Sequence, residues 1–112
     1  MTYQSALESY RVVDPQGRSH AVEFQKAGFL TTGDQPELYF FLVDGEEVVV
    51  GVSGEALRAL QQGRRYLTRE QKIDVAGLHL KRRLEAGKTL VPENLYVRSE
   101  LGGLLQDLGI AR

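Results

Sequence analysis

The hydrophobic positions change period half-way along the chain. From residue 7 to about residue 52 they fall in the short alternating or continuous runs of strands, and after Ser53 they recur at three and four, the period of helices. Leu7–Asp14 and Ser19–Gln25 are two β-rich stretches joined by Pro15-Gln16-Gly17-Arg18. In that turn Pro fixes φ and Gly tolerates a positive φ, so a hairpin is predicted. In its second arm Val22 and Phe24 share a face with His20 and Lys26, while Ala21, Glu23 and Gln25 point away. A loop over 27–36 comes after it, whose Phe29 and Leu30 are expected to plug the edge of the core, the alternative being an exposed contact site. Next come Glu37–Val43 and Glu46–Val52, joined by Asp44-Gly45, the residue pair that two-residue hairpin turns favour. The arms LYFFLV and VVVGV are apolar on both faces, which predicts central strands with some cover on each side.

The second half predicts helices. Ser53 can cap a short helix over 54–62 that Gly63 ends, with Ala56, Leu57 and Leu60 on one side. Thr68-Arg69-Glu70-Gln71 has the spacing of a capping box, and Gly87 is a stop, so a long helix is expected over 69–86. Its Ile73, Ala76, Leu80 and Leu84 form one stripe for the sheet, and Val75, Leu78 and Ala86 a weaker second one. Pro92 interrupts any helix in 89–98, where Leu95–Val97 can add a fifth strand. Leu101, Leu104, Leu105 and Leu108 make the stripe of a short terminal helix that Ser99 is placed to cap. Gly102 and Gly103 weaken that helix, so it needs a dock, either the long helix of its own chain or that of a second copy. The fold class is therefore α+β: one domain over 1–112, with an antiparallel sheet of four to five strands in two hairpins packed on the long helix.

Composition narrows the chemistry. With 112 residues, 42% hydrophobic and 26% charged, the chain has the make-up of one folded domain, not of a disordered one. It contains no Cys, which removes disulfides, thiolate nucleophiles and cysteine metal sites and favours a cytoplasmic reading. The first residues lack the pattern of a signal peptide, and the longest apolar run, Leu38–Val43, is far short of the ~20 residues of a membrane helix.

Charge adds the one positive clue. The net charge of −1 conceals a segregation: residues 1–55 carry 3 basic and 9 acidic side chains, and residues 56–88 carry 9 basic and 3 acidic ones. Arg64 and Arg65 precede the long helix, and on its wheel Lys72, His79 and Arg83 form a row beside the core stripe, with Arg69 near its start. Arg69, Lys72, His79, Arg82 and Arg83, with Arg64 and Arg65, are therefore the candidate residues for an anionic partner, either an acidic protein or a nucleic acid. The pI of 6.1 weighs against a dedicated nucleic-acid binder. Candidate partner or dimer contacts are Val75, Leu78, Leu101, Leu104, Leu105 and Leu108.

No catalytic or cofactor pattern is complete. Gly51-Val52-Ser53-Gly54-Glu55 stands at a strand-to-helix junction, as a nucleophile elbow does, but has Glu where the elbow has Gly. Capping explains Ser53 without chemistry. His20 and His79 lack metal-ligand spacing, His20 being read as part of a wet hairpin face, and no phosphate loop is present. The expectation is a small cytoplasmic, non-enzymatic interaction module without cofactor, homodimeric, the alternative being nucleic-acid binding through the basic 58–88 segment.

Overall fold

The computed structural model describes residues 6–29, 36–63, 66–88, 90–91 and 95–110. Five strands form one sheet in the order of the chain: β1 (Ser9–Val13), β2 (Ser19–Phe29), β3 (Glu37–Val43), β4 (Glu46–Val52) and β5 (Tyr96–Val97). Helices α1 (Gly54–Gln62) and α2 (Arg69–Glu85) stand between β4 and β5, and α3 (Leu101–Asp107) comes last. The α+β class and both hairpins are as the pattern predicts. The sheet is nevertheless mixed, since β5 pairs with β4 in parallel. Two helices intervene between these strands, a crossover that allows parallel pairing where a tight turn would not.

The turns arise from their residues. Asp44 and Gly45 have φ of 52° and 88°, the left-handed pair that a two-residue hairpin turn requires. In β2 the simple alternation fails at Gln25. Phe24 pairs with Phe41 and Lys26 with Phe40, so Gln25 is an extra residue in a bulge. The bulge reverses the parity of the remainder of the strand: Lys26 lies on the face opposite Phe24, and Ala27 takes the inner side. It also lets β2 run on to Phe29, through residues expected in the loop; the rest of that loop, Leu30 included, lies outside the described residues.

The core lies between the inner face of the sheet and the helices. Val12, Val22, Tyr39, Phe41, Val50 and Val52 meet Ile73, Ala76, Leu80 and Leu84 of α2, all buried. Phe24 packs edge-on against Phe41, with 5.5 Å between centroids. The capping box forms in full: Thr68 Oγ1 accepts from the Gln71 amide and Gln71 Oε1 from the Thr68 amide. Gly87, at φ +67°, ends the helix against Pro15 of the first turn.

A polar contact fixes how α2 lies on β1. Asp74, in the middle of α2, is fully buried, and its two carboxylate oxygens accept from the amides of Ala6 and Leu7 at 3.2 and 3.0 Å. One turn on, the Gly77 carbonyl accepts from Tyr10 Oη at 2.8 Å. A Cβ at Gly77 would stand 2.9 Å from Leu7 Cβ, so only glycine lets the chain entering β1 lie this close to the helix. Gly87 meets Pro15 beyond the far end of β1, so α2 runs beside β1 in the same direction.

The terminal helix docks on its own chain. Leu101, Leu104 and Leu105 are buried in the common core, and Arg82 of α2 bonds Asp107 at 2.5 Å. Ser99 does not cap it. Glu100 occupies the cap position in helical conformation, with no side-chain hydrogen bond to the first turn. Gly102 faces open space, so a methyl group there costs nothing sterically.

Two stability changes are expected. Asp74→Ala leaves the Ala6 and Leu7 amides without their acceptor and lowers unfolding stability by about 1–3 kcal/mol, read by urea titration. Gly102→Ala raises it by about 1 kcal/mol through helix propensity alone.

Candidate interaction surfaces

The outer face of the sheet carries the alternate residues of the apolar strands. Cross-strand register places Glu23, Leu42 and Glu47 in one row, Lys26, Phe40 and Val49 in the next, and Gly28, Leu38, Gly51 and Tyr96 in a third. Two glycines let the aromatic rings fold down onto the backbone. A Cβ at Gly28 would meet Phe40 at 3.1 Å, and one at Gly51 would meet Tyr96 at 3.4 Å. Each ring also carries a cation, Lys26 Nζ at 5.2 Å from the Phe40 centroid and the Arg98 guanidinium at 4.5 Å from that of Tyr96.

Leu38, Phe40, Leu42, Val49 and Tyr96 are half-buried, and none belongs to the core or packs against it. The buried and half-buried apolar residues of α1, α2 and α3 all belong to the core on the other side. Cover of this face, expected from its hydrophobicity, is thus not supplied by any described helix. Glu23 and Glu47 stand in the first of these rows and Lys26 in the middle one, Arg98 lies beyond the third, and Arg11 of β1 shares the face beside Glu23.

The basic row of α2 does not form one continuous stripe. Lys72 Nζ binds the Glu37 carboxylate at 3.2 Å, and Tyr39 Oη donates to the same carboxylate at 2.7 Å. Burial pushes the Tyr39 hydroxyl up, and the hydrogen bond to Glu37 adds to it. Arg69 lies over the Phe24 ring, 5.5 Å from its centroid. Both side chains are thereby held at the rim of the inner face. Farther along, His79, Arg82 and Arg83 turn with Lys88 toward a groove of about 390 Å³ between α2 and α3, also lined by Ala86, Glu100, Gly103 and Leu104. At Glu100 burial works against ionisation, but hydrogen bonds from the Arg98 and Glu100 amides and the charges of His79 and Arg98 outweigh it and hold the carboxyl below its usual range. Arg64 and Arg65 lie outside the described residues.

The candidate dimer contacts are mostly internal. Val75, Leu101, Leu104 and Leu105 are buried within the chain, and Leu78 and Leu108 are half-buried against the same core. Ala86, of the weaker stripe, is exposed.

Ser53 is a cap, its Oγ accepting from the Ala56 amide at 3.2 Å. A groove of about 470 Å³ opens beside it, lined by Ser53, Glu55, Ala56, Tyr96, Arg98 and Ser99, and neither histidine is among these residues. Among the described residues no group of three His, Asp or Glu side chains is placed to hold a metal ion, and no helix is long and apolar enough to cross a membrane.

His20 is not simply wet surface. Its side chain is 21% exposed and sits between two carboxylates, with Nε2 2.8 Å from Asp14 Oδ2 and Nδ1 2.6 Å from Asp44 Oδ2. Only the imidazolium can donate from both ring nitrogens. The aspartates in turn order the two hairpin turns: Asp14 Oδ1 accepts from the Gln16 and Arg18 amides, and Asp44 Oδ1 from that of Ala21. Hydrogen bonds to Asp14 and Asp44 raise the His20 pKa. The bond to His20 lowers that of Asp14, and the Ala21 amide followed by His20 lowers that of Asp44. No periodicity marks this clip, because Asp14 and Asp44 come from two turns and His20 from β2, and only the meander brings them together.

No family model, curated protein or solved structure matches the chain.

The clip makes stability depend on pH. The contribution of His20 is complete below the unfolded histidine value of about 6.5 and disappears as pH rises through the higher folded value. That of Asp14 and Asp44 is complete above about pH 3.9 and disappears as pH falls through their lowered values. Thermal unfolding of the wild type and His20→Ala should therefore differ most between roughly pH 4 and 6.5 and converge toward pH 9. An equal difference at pH 5.5 and 9 contradicts a charged clip.

Proposed function

We propose that the chain is a small cytoplasmic, non-enzymatic interaction module that forms a homodimer through the outer face of its sheet. The observation that carries this reading is the set Leu38, Phe40, Leu42, Val49 and Tyr96, which is apolar, lies outside the core and is flanked by both acidic and basic side chains. Such a face matches a copy of itself. A two-fold axis lying in the interface, across the strands and near Phe40, reverses strand direction between the copies. Phe40 then meets Phe40, and Leu42 approaches Leu38 of the second copy. Glu23 comes over its Gly28, one row from its Lys26, and Glu47 over its Gly51, beside its Tyr96 and within reach of its Arg98. Isologous contact of this kind is the rule for two-fold dimers, and face-to-face sheets pack at about 10 Å with interleaved side chains. The lack of cysteine supports a reducing compartment.

Nucleic-acid binding through the basic 58–88 segment has less support. Arg69 and Lys72 are engaged by Phe24 and Glu37, and Arg82 by Asp107. That reading requires oligonucleotide affinity falling steeply with salt, which fluorescence anisotropy measures directly.

Sedimentation equilibrium tests the dimer. The wild type should sediment as a dimer at tens of micromolar, and Phe40→Asp as a folded monomer with an unchanged circular dichroism spectrum. Glu47→Lys and Arg98→Glu should each weaken association by roughly three- to tenfold, and the double variant should regain most of it. A monomeric wild type, or a Phe40→Asp variant that still dimerises, overturns the proposal.

A further inference from the structure

The groove between α2 and α3 is a second feature, independent of self-association. Its floor is apolar, formed by Ala86, Leu104 and the bare backbone at Gly103, and its wall carries the basic side chains of Arg82, Arg83 and Lys88 beside His79. Glu100 is the one carboxylate among its described lining residues, and Asp107 reaches Arg82 from α3. Within this small volume the described cations outnumber the anions, although residues 1–55 are strongly acidic.

Gly103 supplies a separate observation. It lies inside α3, where glycine is the poorest helix former after proline, yet a Cβ at this position would meet nothing within 4 Å. No turn, positive φ or close approach accounts for it, so the glycine is not explained by packing. Gly103 lines the groove, so a long side chain at this position can occupy part of it.

We propose that this groove binds a small organic anion, a phosphate monoester or carboxylate with an apolar body. The charged head lies against Arg83 and Lys88, with Arg82 held beside them by Asp107, where a guanidinium group can offer paired N–H donors to two oxygens. The body lies along Leu104 and Ala86 in the space that Gly103 leaves. A nucleic-acid backbone fits less well, because Arg69 and Lys72, which would extend the track, are held at the sheet.

Amide chemical shifts in the full chain test the site, with phenyl phosphate, benzoate and inorganic phosphate as probes. Phenyl phosphate or benzoate should shift the amides of 79–88 and 100–104 saturably at millimolar concentration or below, and which of the two binds more tightly identifies the head group. Inorganic phosphate, which lacks the apolar body, should bind about tenfold more weakly. Lys88→Gln should weaken binding several-fold, with a smaller dependence on salt. Gly103→Leu should abolish it while leaving the fold intact, since the new side chain fills the groove and favours the helix. The absence of saturable shifts with either organic anion at about 10 mM, well above the weakest affinity expected of a charge-assisted site, overturns the proposal. So does binding that survives Gly103→Leu.

Discussion

Strand β3 is apolar on both of its faces, and the described helices reach only one of them. Tyr39, Phe41 and Val43 go into the core, and by the same alternation Leu38, Phe40 and Leu42 must go to the other side. A one-residue slip would not relieve this, since either parity exposes three large apolar groups. The constraint determines the remaining choices on that face: glycines beneath the rings and cations over them. Each reduces the exposed apolar area, and none removes it.

On the covered side the fold depends on α2. Its apolar stripe supplies non-directional burial, while Asp74 and Gly77 supply direction, holding the segment that enters β1 by hydrogen bonds to both ends of a single helical turn. A buried carboxylate is costly unless its oxygens find donors, so this contact admits few alternative placements. The His20 clip has the same character at the hairpin turns, with the difference that its strength varies with pH. Packing thus holds the layers together, and a few charged hydrogen bonds set their register.

Much of this arrangement was legible in the residues. Asp44-Gly45 and the capping box at Thr68 are local signals with local causes, and both form as their chemistry dictates. The boundaries of β3, β4 and α1 match the pattern to the residue. The bulge at Gln25 was not legible, because one inserted residue changes the parity of a strand without leaving a composition signal. Nor was the parallel pairing of β5, which depends on where two helices return the chain. For the surfaces, the helical wheel showed Lys72 and Arg83 on one row but could not show that Glu37 reaches across from the sheet to bind the first of them. The groove requires two helices at once, and Lys88 and Gly103 enter it from segments that no periodicity relates. The outer face was half legible: the doubly apolar pattern called for cover, and the location of Lys26 and Arg98 around it came only with the register.

Whether a second copy covers the outer face is tested most directly by intermolecular contacts in a mixed sample, half isotope-labelled and half not. A dimer joined through this face gives filtered nuclear Overhauser effects between the Phe40 ring of one copy and Phe40, Leu38 or Leu42 of the other. Intermolecular effects confined to other residues, or none from a sample that diffuses as a monomer at several hundred micromolar, would contradict it.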